Sequence, residues 1–227
     1  AINLAKSINV EIISCDSMQV YKEMNIGTAK PSIDDRKIVK HHMIDIVSPN
    51  EEFNVVKYKK MASIIIEEVL KRGNIPIIVG GTGLYVESLV YNIEFSNCGC
   101  DEEYRKSLIN ISNLEGNEKL YNMLKEIDFE FASQISINDT KRIIRGLEIF
   151  KSTGKNMTYH NKKSRENEVP YDYYLFGIMH NRDKLYAKID NRVDEMINNG
   201  LVEEVKNIYQ KYNTFPTAMQ GLGYKEV

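Results

Sequence analysis

The sequence predicts an α/β protein with a doubly wound, mostly parallel sheet and an inserted all-helical subdomain. Short apolar runs such as Ile12–Ile13 pass directly into polar turns, as strands buried on both faces do. The run Ile75–Val79 leads through a glycine-rich turn into a helical pattern, which is the order of an α/β unit. Between residues 97 and 167 such runs vanish, and short charged helices follow one another. These three observations define the fold class.

The first half of the chain alternates strands with helices. Ser48–Pro49 stops a strand, Asn54 is a typical helix cap, and Gly73 ends the helix that Asn54 begins. Apolar residues at helical spacing ahead of the first strand indicate the tail of a helix. In order, the pattern predicts a helix in Ala1–Ile8, a strand through Ile12–Cys15, a strand over His42–Val47, a helix over Val55–Arg72, a strand over Ile75–Val79 and a helix over Leu84–Tyr91.

The second half contains the predicted insertion and the return to the α/β core. Tyr173–Met179 reads as a further strand, and Arg182–Asn199 and Val202–Tyr212 read as amphipathic helices. The core is therefore expected to be discontinuous, with residues 1–96 and 168–227 forming the α/β part and residues 97–167 the helical insertion.

Composition limits the function classes. A length of 227 residues, 42% of them apolar, allows one sizeable core. Without an apolar run long enough for a bilayer, or a signal peptide, we expect a cytoplasmic protein. The formal net charge of -2 requires RNA binding, if present, to use a local basic patch. Cys98 and Cys100 lack zinc-type spacing, so we expect reduced thiols and no metal site built from protein side chains alone.

Asp16 follows the first strand, inside a polar turn. In open α/β sheets ligands collect beyond the carboxyl ends of the strands, which favours a functional carboxylate at this position. Aspartate is also a favoured helix cap. The residues alone therefore leave catalysis and capping as equal alternatives.

Two further patterns are candidates for binding. Gly80–Gly83 can bring backbone N–H groups and the Thr82 hydroxyl close to a substrate, although it is also the pattern of a tight strand-to-helix connection. In a later helix, Lys141, Arg142 and Arg145 fall within one arc. Such an arc suits phosphate contacts and equally a solvated charged face.

Four motifs stand out along the chain: Asp16–Tyr21 (DSMQVY), Gly27–Pro31 (GTAKP), Val79–Tyr85 (VGGTGLY) and Gly221–Tyr224 (GLGY). Together, and in this order, they resemble the bacterial tRNA dimethylallyltransferases of the IPP transferase family over essentially the whole chain. The resemblance implies a P-loop NTPase-like fold. It also implies transfer of a dimethylallyl group from dimethylallyl diphosphate to N6 of adenine 37, in the anticodon loop of tRNAs that read codons beginning with U.

The resemblance assigns two catalytic roles. Asp16 is the expected general base at the adenine amine, a poor nucleophile because its lone pair is delocalised into the ring. Arg192 is expected to stabilise the leaving diphosphate. From the residues alone, a surface arginine paired with a neighbouring carboxylate would be the better interpretation of Arg192.

The resemblance also implies contacts with tRNA in four places along the chain. For Tyr224, stacking on a base and anchoring the last helix remain alternatives. The expected tRNA-contacting residues are Asp16, Ser17, Met18, Gln19, Thr82, Arg105, Lys141, Arg142, Ile143, Ile144, Arg145, Gln220, Gly221, Leu222, Gly223, Tyr224 and Lys225.

One part of the family pattern is not found in these residues. The resemblance calls for a glycine, lysine and serine or threonine loop that holds a diphosphate and helps to hold Mg²⁺, the implied cofactor. Ala1–Lys6 corresponds to the helix just after that loop, and the chain stops before the family's carboxyl-terminal helices. We therefore expect the 227 residues alone to bind the donor weakly and to have little or no activity.

The implied partners are the tRNA anticodon stem-loop and dimethylallyl diphosphate, with no membrane, and the protein is expected to be a monomer. Three alternatives remain. They are an isopentenyltransferase acting on free adenine nucleotides such as AMP, a small-molecule phosphotransferase of the P-loop class, and a non-catalytic RNA-binding module. The insertion with its basic arc favours tRNA over free nucleotides.

Overall fold

The computed structural model describes residues 1–95 and 101–227, so Cys98 and Cys100 lie outside the described residues. The chain divides into two compact units. The first consists of Ala1–Val90 together with Asp172–Val227, and the second is Tyr91–Tyr171. The first unit is thus discontinuous in sequence and carries the parallel sheet. The second unit spans the whole segment predicted as an insertion, residues 97–167, and its described regular elements are all helices.

The sheet of the first unit has three strands, β1 (Val10–Ser14), β2 (His41–His42) and β3 (Ile75–Val79). Their order is β2-β1-β3, and both pairings are parallel. All five residues of β1 are buried. The carboxyl ends of parallel strands share one edge of the sheet, so the turns that follow β1 and β3 are neighbours. The doubly wound α/β prediction is confirmed.

Helices make up most of the remaining structure. The first part of the first unit contains α1 (Ile2–Ala5), α2 (Ile33–Ile38), α3 (Val55–Lys71) and α4 (Gly83–Val90). The second unit contains α5 (Glu102–Glu115), α6 (Asn117–Ile127), α7 (Phe129–Ala132), α8 (Thr140–Thr153) and α9 (Met157–Lys163). The remainder of the first unit contains α10 (Arg182–Asn198) and α11 (Leu201–Lys211). A 3₁₀ turn spans Ala218–Gln220.

Helix caps explain several of these boundaries. The Asn54 side chain accepts a hydrogen bond from the Lys57 N–H and starts α3, as its position in the sequence predicts. Ser32 and Asp35 form a capping box that starts α2, a helix absent from the sequence prediction. Among the described residues no helix has both the length and the apolar character needed to cross a membrane.

The predicted strand over His42–Val47 is wrong beyond its first residue. Met43 and Asp45 have positive φ angles of 63° and 56°, which no continuous strand accommodates. The segment instead binds the turn after β1, because the N–H groups of Asp45 and Ile46 donate to the carbonyls of Gln19 and Val20. The apolar pattern in this stretch therefore reflects packing on a turn rather than a full strand.

The predicted strand over Tyr173–Met179 is also wrong. No helix or strand includes this segment, and its side chains after Tyr173 are exposed, Phe176 by 90% and Met179 by 91%. A strand exists only when a partner backbone accepts its hydrogen bonds, and no strand in the described ranges lies beside this segment. Helix α10 has no buried residue either.

Each unit has its own apolar core. In the first, Ile12 and Ile13 of β1 are 3% and 0% exposed, and the rings of Tyr58 and Tyr85 stack with centroids 4.1 Å apart. In the second, a cluster within α5, α6, α7 and α8 comprises Leu108, Leu120, Leu124, Ala132, Ile143, Ile144 and Leu147.

Candidate active site and RNA-binding surfaces

Asp16 begins the turn at the carboxyl end of β1. Its Oδ1 accepts hydrogen bonds from the N–H groups of Met18 (2.8 Å) and Gln19 (3.1 Å). The carboxylate therefore does close the turn locally, as an Asx turn does. In the described part of the chain the second oxygen, Oδ2, has no hydrogen-bonding partner, and the residue is partly exposed. Capping and chemistry are compatible, because each uses a different oxygen.

The turn after β3 lies directly against the Asp16 turn. The Ser17 N–H donates to Thr82 Oγ1 (3.0 Å), and the Thr82 N–H donates to the Cys15 carbonyl (3.2 Å). A Cβ atom on Gly80 would lie 2.2 Å from that same carbonyl oxygen, so only glycine allows this approach. The structure thus brings Asp16, Ser17 and Thr82 together.

Gln19 uses its side chain inside the protein. Its Nε2 donates to the Thr28 carbonyl (3.1 Å), and its Oε1 accepts from the Ser14 hydroxyl (3.0 Å). Gln19 therefore ties the end of β1 to the Gly27–Pro31 motif. Any contact of Gln19 with RNA stays a prediction, and the side chain would have to share the groups that it already uses.

A cluster of charged side chains supports the far side of this turn, and no sequence pattern predicted it. Lys30 Nζ lies 2.6 Å from Asp45 Oδ1, and Arg36 Nη1 lies 2.7 Å from Asp45 Oδ2. The Lys30 side chain is 2% exposed, and this burial lowers the pKa of its amine against the opposing effect of Asp45. Lys30 also donates to the Tyr21 carbonyl, which fixes the course of the chain after the Asp16 turn.

The segment from Gln220 to Lys225 divides into buried and exposed residues. Leu222 is 80% exposed, and Gln220 and Lys225 are exposed as well. Tyr224 is 1% exposed and donates its hydroxyl proton to Glu204 Oε1. Its ring therefore anchors the segment, as one of the two alternatives expects, and any contact of Tyr224 with tRNA stays a prediction.

Arg192 lies on the exposed helix α10. Its guanidinium makes no ion pair with any described residue, so the interpretation as a paired surface arginine does not hold there. The structure records no contact between Arg192 and the Asp16 turn. Its role at the diphosphate stays a prediction.

The basic arc of α8 lies in the second unit. Lys141 is exposed, Arg142 Nε lies 3.4 Å from Asp139 Oδ2, and Arg145 Nη1 lies 3.8 Å from Glu148 Oε2. Arg105 makes a two-pronged ion pair with the same Glu148, at 2.7 Å and 2.8 Å. Because Glu148 is only 3% exposed, one function of Arg105 is to neutralise a buried carboxylate.

Ile143 and Ile144 belong to the core of the second unit. They are 0% and 6% exposed and pack within the cluster of α5, α6, α7 and α8. Their side chains therefore stabilise the second unit, and any contact of these two residues with tRNA stays a prediction.

The described residues were also compared with the ligand groups that a metal ion such as the implied Mg²⁺ would need. Across residues 1–95 and 101–227 no three His, Cys, Asp or Glu side chains gather as metal ligands. Mg²⁺ is commonly held by one or two carboxylates together with the phosphates of a substrate, so the implied ion does not require such a cluster.

Fold and site together define the class of the protein. A parallel sheet with a carboxylate beyond one strand end, joined by hydrogen bonds to the turn of the next strand, is typical of doubly wound α/β enzymes. The family model of IPP transferase matches residues 19–227. The chain belongs to the IPP transferase family, a family of transferases.

Individual relatives agree with this assignment. The tRNA dimethylallyltransferase of Acetivibrio thermocellus is 48% identical over 228 residues, which cover 100% of this chain and 73% of the relative. That of Caldanaerobacter subterraneus subsp. tengcongensis is 48% identical over 230 residues, again 73% of its length.

Solved structures have the same fold. The tRNA isopentenylpyrophosphate transferase of Bacillus halodurans is 39% identical with a TM-score of 0.66, and the match covers 99% of this chain and 70% of the other. A eukaryotic dimethylallyltransferase acting on tRNA is 30% identical with a TM-score of 0.73, over 99% of this chain and 57% of that protein.

Proposed function

We propose that the protein transfers a dimethylallyl group from dimethylallyl diphosphate to N6 of adenine 37 in tRNAs that read codons beginning with U. It is proposed to act as a monomer on the anticodon stem-loop. The names of the relatives support tRNA as the substrate, and the exposed cations of α8 supply the local positive charge that the net charge of -2 lacks.

The observation that carries the proposal is the arrangement of Asp16. One carboxylate oxygen is held by the Met18 and Gln19 N–H groups, which fixes the side chain, and the other has no partner among the described residues. A fixed carboxylate can accept a proton from the adenine amine as the nitrogen attacks the allylic carbon. The N–C bond forms as the C–O bond to the diphosphate breaks, and the electron pair leaves with the diphosphate.

Negative charge builds up on the leaving diphosphate during this step. Arg192 is the proposed residue that stabilises it, because its guanidinium is exposed and has no carboxylate partner in the described ranges. Mg²⁺ remains part of the proposal only as the ion expected to accompany the diphosphate.

The test compares two acceptors, AMP and an anticodon stem-loop with adenine 37, using radiolabelled dimethylallyl diphosphate. Because the match covers 73% of the Acetivibrio thermocellus relative, the assay uses a chimaera that adds the segments of that relative lying outside the match. We expect transfer to the stem-loop and little to AMP. A preference for AMP would support the free-nucleotide alternative, and binding of the stem-loop without transfer would support the RNA-binding module.

A further inference from the structure

The Glu204 carboxylate, in the first turn of α11, gathers hydrogen bonds from two distant segments. The N–H groups of Asn25 and Ile26 each lie 2.9 Å from Oε2, and that of Gly27 lies 3.3 Å from Oε1. The Tyr224 hydroxyl donates to Oε1. Both oxygens of one side chain are therefore occupied by donors that lie on either side of it in the sequence.

Two close contacts accompany these hydrogen bonds. A Cβ atom on Gly27 would lie 2.5 Å from the Tyr224 ring, so the turn rests directly on that ring. A Cβ atom on Gly221 would lie 2.8 Å from Met18 Sδ, so the last segment also rests on the Asp16 turn. The two segments are packed together without space for a side chain at either glycine.

A chain of hydrogen bonds runs from the turn containing Gly27 to Asp16, the proposed base. Thr28 follows the Glu204-bound N–H groups and accepts from Gln19 Nε2, and the Gln19 N–H donates to Asp16 Oδ1. On the other side, Tyr224 lies between the exposed Leu222 and Lys225. Glu204 thus connects the Asp16 turn with the last of the predicted RNA-contacting segments.

We propose that Glu204 is a positioning residue, which sets the spacing between the Asp16 turn and the 220–225 segment so that both engage one anticodon loop. This inference rests on the proposed function. A carboxylate is needed because it presents only acceptors to four donors. The amide of a glutamine would turn an NH₂ group toward backbone N–H groups and leave part-buried donors unpaired.

The experiment measures binding of two anticodon stem-loops to the 227-residue chain, one with adenine at position 37 and one with purine, which lacks the exocyclic amine. Their ratio reports on Asp16, because only adenine offers an amine to it. We expect the wild-type chain to prefer adenine by on the order of tenfold, the usual effect of one hydrogen bond to a charged group. In Glu204→Gln this preference should fall to about twofold or less.

Glu203→Gln is the matched control, since Glu203 is the preceding residue and its side chain is 70% exposed. This variant should keep the wild-type preference. Tyr224→Phe removes one donor and leaves the carboxylate in place, so it should reduce the preference partly even if Glu204→Gln fails to fold.

Equal loss of affinity for both stem-loops, with the adenine preference kept in Glu204→Gln or Tyr224→Phe, would show that Glu204 only stabilises the fold and would overturn the inference. A wild-type chain that binds neither stem-loop, or binds both equally, would instead overturn the proposed function, and the inference would fall with it.

Discussion

At the scale of single residues, Asp16 shows how one side chain can serve both the fold and the chemistry. Its Oδ1 closes the turn with the Met18 and Gln19 N–H groups, and these bonds hold the carboxylate where Oδ2 remains available. A base held in this way loses little conformational freedom on reaction, which is the advantage of preorganisation.

Asp16→Asn separates the two roles, because asparagine is an equally good cap but a poor base. We expect dimethylallyl transfer by the chimaera to fall by about 10²–10⁴-fold, with thermal unfolding close to wild type. Stem-loop affinity should fall by at most about tenfold, because only one hydrogen bond to a charged group is weakened. Asp16→Ala, which loses the cap as well, should also unfold at a lower temperature. An unchanged transfer rate in Asp16→Asn would remove Asp16 as the base.

Gly80 is a second residue whose identity the structure explains. Gly80→Ala would place a Cβ atom 2.2 Å from the Cys15 carbonyl oxygen, which is backbone and cannot swing away. We expect the free energy of unfolding in urea to fall by about 1–3 kcal/mol or more. Gly81→Ala is the control, because no atom lies within 4 Å of a Cβ at that position. Equal stability of the two variants would contradict this account.

At the scale of elements, Glu11 joins β1 to its surroundings. This buried carboxylate accepts from Arg72 Nε and Nη2 at 2.8 Å and 2.9 Å and from Asn74 Nδ2 at 2.9 Å, and it contacts His42 Nε2 at 2.6 Å. The two Arg72 bonds above all lower the pKa of Glu11 to about 2, although burial opposes the shift. One charged side chain thus ties the central strand to β2 and to the end of α3.

A depressed pKa means that the folded state favours the ionised form of Glu11. The stabilisation is therefore complete above the unfolded pKa of 4.5 and is lost as the pH falls from 4.5 towards about 2. This stabilisation of the folded state by ionised Glu11 is about 3 kcal/mol. Urea unfolding of wild type and Glu11→Gln between pH 6 and 2 should show that the stability difference shrinks in this window. A pH-independent difference would argue against an ionic role.

The three cations of helix α8 differ in whether a carboxylate lies beside them. Arg142 and Arg145 each lie near a carboxylate, whereas Lys141 has no ion pair with a described residue and is the simplest probe of phosphate contact. Lys141→Ala should weaken stem-loop binding and reduce the slope of log K against log salt by about 0.7–0.9. Lys119→Ala, an exposed lysine on α6, should leave the slope unchanged. An unaltered slope in Lys141→Ala would exclude a phosphate contact there.

At the scale of the whole molecule, the first unit is closed by contacts between its two distant chain segments. Besides Glu204, the Tyr21 hydroxyl pairs with Thr217, and Glu23 accepts from Lys211 Nζ and the Tyr212 hydroxyl, both at 2.7 Å. Loop closure over such separations is costly in entropy, so several contacts act together.

The second unit, by contrast, is local in sequence and contains its own buried leucine and isoleucine cluster. We therefore expect the segment Tyr91–Tyr171 to fold when expressed alone, with a helical circular dichroism spectrum and a cooperative thermal transition. The matched comparison is the same segment carrying Leu124→Ala, which should melt at a lower temperature. A transition without cooperativity would show that this unit needs the rest of the chain.

The sequence by itself determined the elements whose signals are local. Helical spacing and caps located α3, α4, α10 and α11 within one or two residues, and apolar runs located β1 and β3. It also placed Asp16 beyond a strand end and Thr82 in the adjacent turn, because parallel strands bring their carboxyl ends to one edge.

Only the tertiary structure decided features that depend on distant partners. The segment Tyr173–Met179 has a strand's composition but pairs with no strand in the described structure. Met43 and Asp45 have positive φ angles where their segment packs on the Asp16 turn. The burial of Tyr224, which no local pattern predicts, shows that its ring anchors the last segment. Glu204 meets Gly27 across 177 positions of sequence, and no local pattern encodes such a contact, because it arises only when packing brings the two segments together.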